Sequence, residues 1–434
     1  MASATGQKAA VRARPVLLPA TFAALVALVA VSALSGGLGQ AFHAPPVGLR
    51  AVPLQQVQAL QQQPPALSRP FTGSAQRPGV AVAPTASMEA SLPMVLAATA
   101  LAAASAASEP EAEEKPNALK QLFDKSKLVI FVGLWYFFNV QYNIENKKLL
   151  SCFDATWAVS WIQLAVGVPI AMLMWASGLV QVPKVTKSDL LKLAPVGAAF
   201  SAGQVATVAS LGAVAVSFTH VVKALEPAVN AIASALILGQ VFHPLVYASL
   251  APVFIGVALA SSAELSFTMF GFLTAMASNF AFVTRNVLAT KFGSVGEMGS
   301  DTTTRKTNQL AVLTAVATLV LLPVALLLPG GLLSIPSAWA KAVKGGIPAG
   351  KLFYMMIASG FHFFMYQLSS FWVLSCVQPI THSVLNTLKR VVIIIVSIIV
   401  FRNPVTPQSA LGTGIAIGGV LLYSVTKSYF SKKK

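Results

Sequence analysis

Lys389 and Arg390 stand side by side in the middle of an apolar stretch, Thr381 to Phe401, long enough to cross a bilayer. A charge at that depth costs about 2.5–3.5 kcal/mol on insertion scales, so such residues face a bundle interior or a watery cavity and mark a substrate path. The last acidic residue of the chain is Asp301, so nothing from Thr302 to Lys434 can neutralise the pair. The missing counter-charge is therefore read as belonging to a ligand.

Other polar residues fall into register with this pair. Thr219, Lys223 and Glu226 lie at i, i+4 and i+7 of another apolar segment, hence on one helical face. His382 and Asn386 extend the stripe of Lys389 and Arg390, while Gln204 and Thr207 share a face elsewhere and Tyr366 stands near His362 and Gln367. Cations that hold an oxyanion, with neutral donors that position the rest of a small polar molecule, suit a phosphorylated ligand. Arg can bond two phosphate oxygens with its planar fork, and Lys supplies a compact point charge. A divalent phosphate would balance most of the excess carried by Lys223, Lys389 and Arg390.

Competing readings stay open at several of these positions. Lys223 either binds the anion or pairs with Glu226 one turn away. Arg285, near the end of its segment, either snorkels to the interface or lines the pathway. Tyr366 is either a ligand group or a packing residue with its hydroxyl on a backbone carbonyl. His220 and His382 are expected to make helix–helix hydrogen bonds, and Lys147 and Lys148 to act as interfacial anchors. No His, Cys or carboxylate set has metal-ligand spacing, and Cys152 and Cys376 suggest no disulfide framework. Glu226 is the sole carboxylate well inside an apolar segment, which leaves a membrane enzyme without the acid–base groups it would need. No cofactor is called for.

The elements that must position these residues follow from composition. The chain has 434 residues, 56% hydrophobic and 10% charged, the balance of a polytopic membrane protein embedded in the bilayer. Its formal charge of +17 is scattered through short loops, which does not suit nucleic-acid binding. Apolar segments of about 20 residues recur from Ser126 onward. Ten are expected: 126–144, 155–179, 191–212, 216–239, 244–262, 267–290, 309–329, 350–374, 379–401 and 406–427. Phe218-Thr219-His220 is echoed by Ile380-Thr381-His382, Pro244 by Pro407 and Gly256 by Gly418, at offsets of 162 or 163 residues. The expected fold is an all-α integral membrane bundle of two inverted five-helix repeats, 119–262 and 267–428, with the substrate site at their interface. Gly412-Thr413-Gly414 and Gly418-Gly419 suit close helix packing. Loop Lys and Arg split thirteen to six in favour of the side that carries both termini, which assigns that side to the inside.

Residues 1–88 contain no Asp or Glu. Lys8, Arg12 and Arg14 precede an apolar run from Val16 to Leu38, the layout of a secretory signal over 1–40. Residues 41–115 read as a transit-like leader, with Arg50, Arg69 and Arg77 among Pro, Gln, Ser and Ala and an Ala-rich run from Leu92 to Ala107. A signal followed by a transit region points to a complex plastid with bipartite targeting.

Three runs carry a family resemblance: Trp135-Tyr136-Phe137 with Asn146-Lys147-Lys148, Val214 to Pro227, and Pro379 to Val391. Over roughly Phe123 to Lys427 the chain resembles the plastid phosphate translocators, a branch of the drug/metabolite transporter superfamily. The resemblance implies a ten-span envelope antiporter exchanging inorganic phosphate for a phosphorylated metabolite. The class would be triose phosphate and 3-phosphoglycerate, with phosphoenolpyruvate or sugar phosphates as further candidates. It implies that Lys223, Lys389 and Arg390 clamp phosphate, that Thr207 and Tyr366 help hold the ligand, and that Arg285 serves the substrate's other end or gating. Triose-phosphate members have His where this chain has Gln204, and Gly203 to Thr207 is similar to hexose-phosphate members, whereas Tyr366 favours the triose-phosphate branch. The competing carrier reading is a nucleotide-sugar antiporter of endomembranes, against which Lys389-Arg390 and the acid-free leader argue.

Overall fold

The computed structural model describes residues 118–292 and 295–431; the signal and transit readings over 1–115 lie outside the described residues. Among the described residues the chain is helical, apart from an isolated antiparallel bridge between Lys184 and Glu297. The first half contains α1 (Ala118–Cys152), α2 (Thr156–Ala176), α3 (Lys187–Ala213), α4 (Val216–Lys223), α5 (Glu226–Leu238), α6 (Pro244–Ala248) and α7 (Ala251–Ser262). The second contains α8 (Met269–Phe292), α9 (Thr302–Leu327), α10 (Ile335–Lys344), α11 (Ala349–Cys376), α12 (Pro379–Phe401) and α13 (Pro407–Ser431).

Seven segments are long and apolar enough to cross a membrane: α2, α3, α4 with α5, α6 with α7, α9, Thr381–Phe401 of α12, and α13. The other three expected spans are helices of 35, 24 and 28 residues, α1, α8 and α11, that carry more polar side chains. Much of that polarity faces inward: Asn139, Asn143 and Asn146 of α1, Ser278 and Asn279 of α8, and Ser359 and His362 of α11 are all buried. Large apolar side chains point outward instead, among them Leu173, Leu191, Leu236, Phe270, Leu319 and Leu411. A helix bundle satisfies its backbone internally and can present such a surface to lipid.

Four features depart from the expected pattern. The span expected to stop at 144 continues to Cys152, because the polar residues that read as its end have protein partners. Asn146 Oδ1 accepts from Gln163 Nε2 at 2.9 Å, and Lys147 Nζ donates to the Leu211 and Val214 carbonyls at 2.8 Å each. Lys147 is thus a cap on the C-terminal end of α3 rather than an interfacial anchor.

The fourth and fifth spans are each broken. Pro227 has no N–H, and its ring crowds the carbonyl four residues back, that of Lys223, so α4 ends there and α5 starts at Glu226. The Ala224 and Leu225 amides tighten onto the Val221 and Val222 carbonyls at 3.0 and 3.1 Å. Asn279 Nδ2 of α8 also donates to the Val222 carbonyl, at 3.1 Å. Pro252 separates α6 from α7 in the same way, whereas α12 and α13 run unbroken.

The last departure is α10, a short helix in a stretch that reads as a loop. It buries Ala338 and Ala342 and exposes Ser337, Lys341 and Lys344, the pattern of a helix lying on a surface.

Helix neighbours come in matching sets. α1 packs on α11 and α8 on α3; α2 packs on α11 and α9 on α3; α12 packs on α1, and α4 and α5 pack on α8. α2 also packs on α3 and α9 on α11 within their own halves, while α2 with α9, α4 with α12 and α7 with α13 join one half to the other. The α7–α13 contact is closest at Gly256 and Gly412. A Cβ on Gly256 would overlap the backbone of Gly412 and Ala416, and one on Gly412 would overlap that of Gly256 and Ala260. Gly419 meets Val253 and Pro252, while Gly414 and Gly418 face open space.

Candidate functional site

The break between α4 and α5 lies against α12, α3 and α8, and the cations gather there. Lys223, the last residue of α4, is buried. Its Nζ donates to Ser278 Oγ at 2.7 Å and to Thr207 Oγ1 at 3.2 Å, and lies 4.8 Å from the Phe282 ring centre. Both hydroxyls are pinned from behind, because Thr207 donates to the Gly203 carbonyl and Ser278 to that of Ala275, each at 2.8 Å. Of the two readings open for Lys223, the pairing with Glu226 is absent among the described residues. Glu226 begins a new helix beyond the break and is not carried around on the Lys223 face.

Glu226 instead meets Arg390 from the other half of the chain, Oε2 accepting from Nη2 at 2.5 Å. The expectation that Lys389 and Arg390 lack any protein counter-charge therefore fails for Arg390. A carboxylate 164 residues away reaches it, although none follows Asp301 in sequence. The second prong of the fork, Nη1, is buried and has no hydrogen-bond partner. Lys389 has no carboxylate within ion-pair distance among the described residues. Its Nζ lies over the Trp135 and Tyr366 rings, 4.9 and 5.8 Å from their centres.

Arg285 packs inward. Its guanidinium sits 5.1 Å from the centre of the fully buried Phe200 ring and 5.3 Å from that of Phe282, and it donates to Asn286 Oδ1 at 2.9 and 3.2 Å. Phe282 thus contacts both Arg285 and Lys223. Lys223, Arg285, Lys389, Arg390 and Glu226 all lie within Coulombic reach of the cluster.

An uncharged wall completes the arrangement. Tyr366 packs on Tyr142 with ring centres 5.3 Å apart. Gln204 Nε2 donates to Tyr142 Oη at 2.9 Å and to Gln163 Oε1 at 2.6 Å, and Gln163 hands the network on to Asn146. Gln204 Oε1 is buried with no donor, so the wall offers an acceptor as well as bulk. His220 and His382 make the interhelical contacts expected of them, to Asn143 Oδ1 at 2.9 Å and Ser370 Oγ at 3.1 Å. Among the described residues no His, Cys, Asp and Glu grouping could hold a metal.

Contacts thus link six of the residues singled out from sequence, Lys223 with Thr207, Arg285 with Lys223 across Phe282, and Lys389 with Tyr366 and, across Tyr142, Gln204, while Arg390 joins them through Glu226. Ser278, the Gln163 amide bridge and the cross-half role of Glu226 join the site without having been expected from residue order. Ser278-Asn279 was a visible signal, a polar pair inside an apolar segment, but its partner could not be read from spacing. Four cations against one carboxylate leave a net charge of +3 (4 − 1 = 3) over Lys223, Arg285, Lys389, Arg390 and Glu226. Together with planar donors, that is the chemistry of oxyanion capture.

Residues 126–424 match the model of the Triose-phosphate Transporter family. The chain is 40% identical over 326 residues to phosphoenolpyruvate/phosphate translocator 1, chloroplastic, of Oryza sativa subsp. japonica, covering 75% of this chain and 77% of that protein. It is 37% identical over 384 residues to glucose-6-phosphate/phosphate translocator 1, chloroplastic, of Arabidopsis thaliana, covering 85% and 94%. It is 40% identical over 306 residues to the chloroplastic triose phosphate/phosphate translocator of Pisum sativum, covering 70% and 73%. With a family match over well more than half of the chain and relatives this similar over most of their own length, the chain belongs to the Triose-phosphate Transporter family.

Proposed function

We propose that this protein is a plastid-envelope antiporter that exchanges inorganic phosphate for phosphorylated three-carbon metabolites, triose phosphate and 3-phosphoglycerate, with phosphoenolpyruvate and sugar phosphates as further substrates. The observation that carries this reading is the convergence of Lys223, Lys389 and Arg390, from two separate parts of the chain, on one locus walled by Thr207, Tyr366, Gln204 and Arg285. The named relatives are phosphate translocators, and the matched family gives nucleotide-sugar exchange no support.

In this reading ten spans form two inverted five-helix repeats, 119–262 and 267–428. The matching helix neighbours of the two halves support it, because exchanging the halves reproduces the same set of packings. Arg390 takes phosphate oxygens through its fork, Lys223 and Lys389 supply point charge, and the amide wall holds the organic end. Rocking of the two halves about the locus then exposes it alternately to either side. Clustered cations repel one another until an anion binds, so the loaded carrier closes more readily than the unloaded one. This couples inward to outward movement one for one. The leader composition and the chloroplastic relatives support a plastid envelope, reached through bipartite targeting into a complex plastid.

The test is a substrate panel. Liposomes holding the purified protein and internal phosphate are offered triose phosphate, 3-phosphoglycerate, phosphoenolpyruvate, glucose 6-phosphate and a nucleotide sugar. Exchange with one or more of the first four and none with the last is expected; the reverse order would overturn the reading.

A further inference from the structure

Glu226 is the one carboxylate within the cation cluster among the described residues, and its placement is specific. It opens α5 directly after the Pro227 break, at a helix N-terminus that favours negative charge. From there it holds one prong of Arg390 and leaves the other, Nη1, buried and unbonded. Lys223, Lys389 and Arg390 sum to +3 and Glu226 brings the total to +2 (3 − 1 = 2), equal and opposite to a phosphate dianion. Arg285, 5.3 Å from the Phe282 ring that Lys223 also contacts, is then the spare cation for a second anionic group.

We propose that Glu226 is a positioning residue that tunes the charge of the site. It steadies Arg390 by one prong so that the other meets phosphate, and by subtracting one charge it matches the cluster to dianions and allows them to leave. This rests on the phosphate-exchange reading above. Without the carboxylate the cluster would hold anions too tightly and would favour those bearing an extra charge. In a partly buried site, one unit of charge a few ångströms from the ligand changes relative affinity by about tenfold or more.

The experiment uses the full chain in liposomes loaded with phosphate, at a pH where phosphate and its esters are fully ionised. KM and kcat are measured for phosphate and dihydroxyacetone phosphate, both dianions, and for 3-phosphoglycerate, a trianion, in wild type, E226Q and E226D. For E226Q, KM and kcat for phosphate are both expected to fall, and kcat/KM for the trianion relative to the dianions to rise about tenfold. E226D keeps the charge but draws the carboxylate back, so KM is expected to rise while the trianion-to-dianion ratio stays at the wild-type value. A ratio unchanged in E226Q, or shifted as far in E226D as in E226Q, overturns the proposal. If E226Q does not reach the membrane, the neutral E226N takes its place and is held to the same ratio. Wild-type protein inert toward every phosphorylated anion would instead remove the phosphate-exchange reading itself.

Discussion

Replacing Lys223 with Met separates binding from folding. An ammonium has three donors, and Lys223 spends two, on Ser278 at 2.7 Å and Thr207 at 3.2 Å. The third is left for a ligand oxygen. A hydrogen bond to a charged group contributes about 1.5–3 kcal/mol, which corresponds to a loss of about 10- to 160-fold in kcat/KM for phosphate. Folding should barely change, because Thr207 and Ser278 each keep a hydrogen bond to their own helix at 2.8 Å and no donor is orphaned. Met also fills the same space over Phe282 without the cost of burying a charge. The assay is labelled-phosphate counter-exchange in liposomes, paired with thermal unfolding of the purified protein. Near-normal kcat/KM in Lys223→Met, or a loss of exchange that merely follows a collapse in melting temperature, would refute the reasoning.

Further expectations follow from the same contacts. Arg390→Ala and Lys389→Ala should both abolish exchange but part company in stability. Loss of Arg390 strands Glu226 and costs about 3 kcal/mol, which adding Glu226→Gln should partly restore without restoring exchange, whereas Lys389→Ala removes a group with no ion pair and should melt near wild type. Lys147→Met frees the Leu211 and Val214 carbonyls at the end of α3 and should lower stability by about 1–3 kcal/mol, read as a drop in melting temperature. Gly412→Val drives side-chain atoms into the backbone of Gly256 and Ala260; a loss of about 3 kcal/mol is expected, while Gly414→Val, in open space, should melt like wild type.

Much of this molecule is local in character and so could be read from residue order. Apolar runs bounded by polar residues located α2, α3, α12 and α13 to within a few residues, and the isolated pair Lys389-Arg390 pointed to the candidate site because charge inside such a run is costly. What escaped depends on partners distant in sequence. Asn146 and Lys147 looked like the end of a span until Gln163 and the carbonyls closing α3 supplied their hydrogen bonds. Pro227 breaks the helix after Lys223, whereas a face drawn at i, i+4 and i+7 assumes an unbroken helix; that kept a Lys223–Glu226 pair open as an alternative and hid the partner Glu226 has in Arg390. α10 was overlooked because ten residues with two buried alanines give too short a pattern to stand out against a loop.

The most direct test of coupled phosphate exchange is uptake of labelled phosphate by proteoliposomes that differ only in their contents. Rapid uptake into vesicles preloaded with phosphate, and little into vesicles loaded with an inert salt, is the expected result. Equally fast uptake into both would contradict it, because a cluster held open by its own unpaired charge could not then govern the swing.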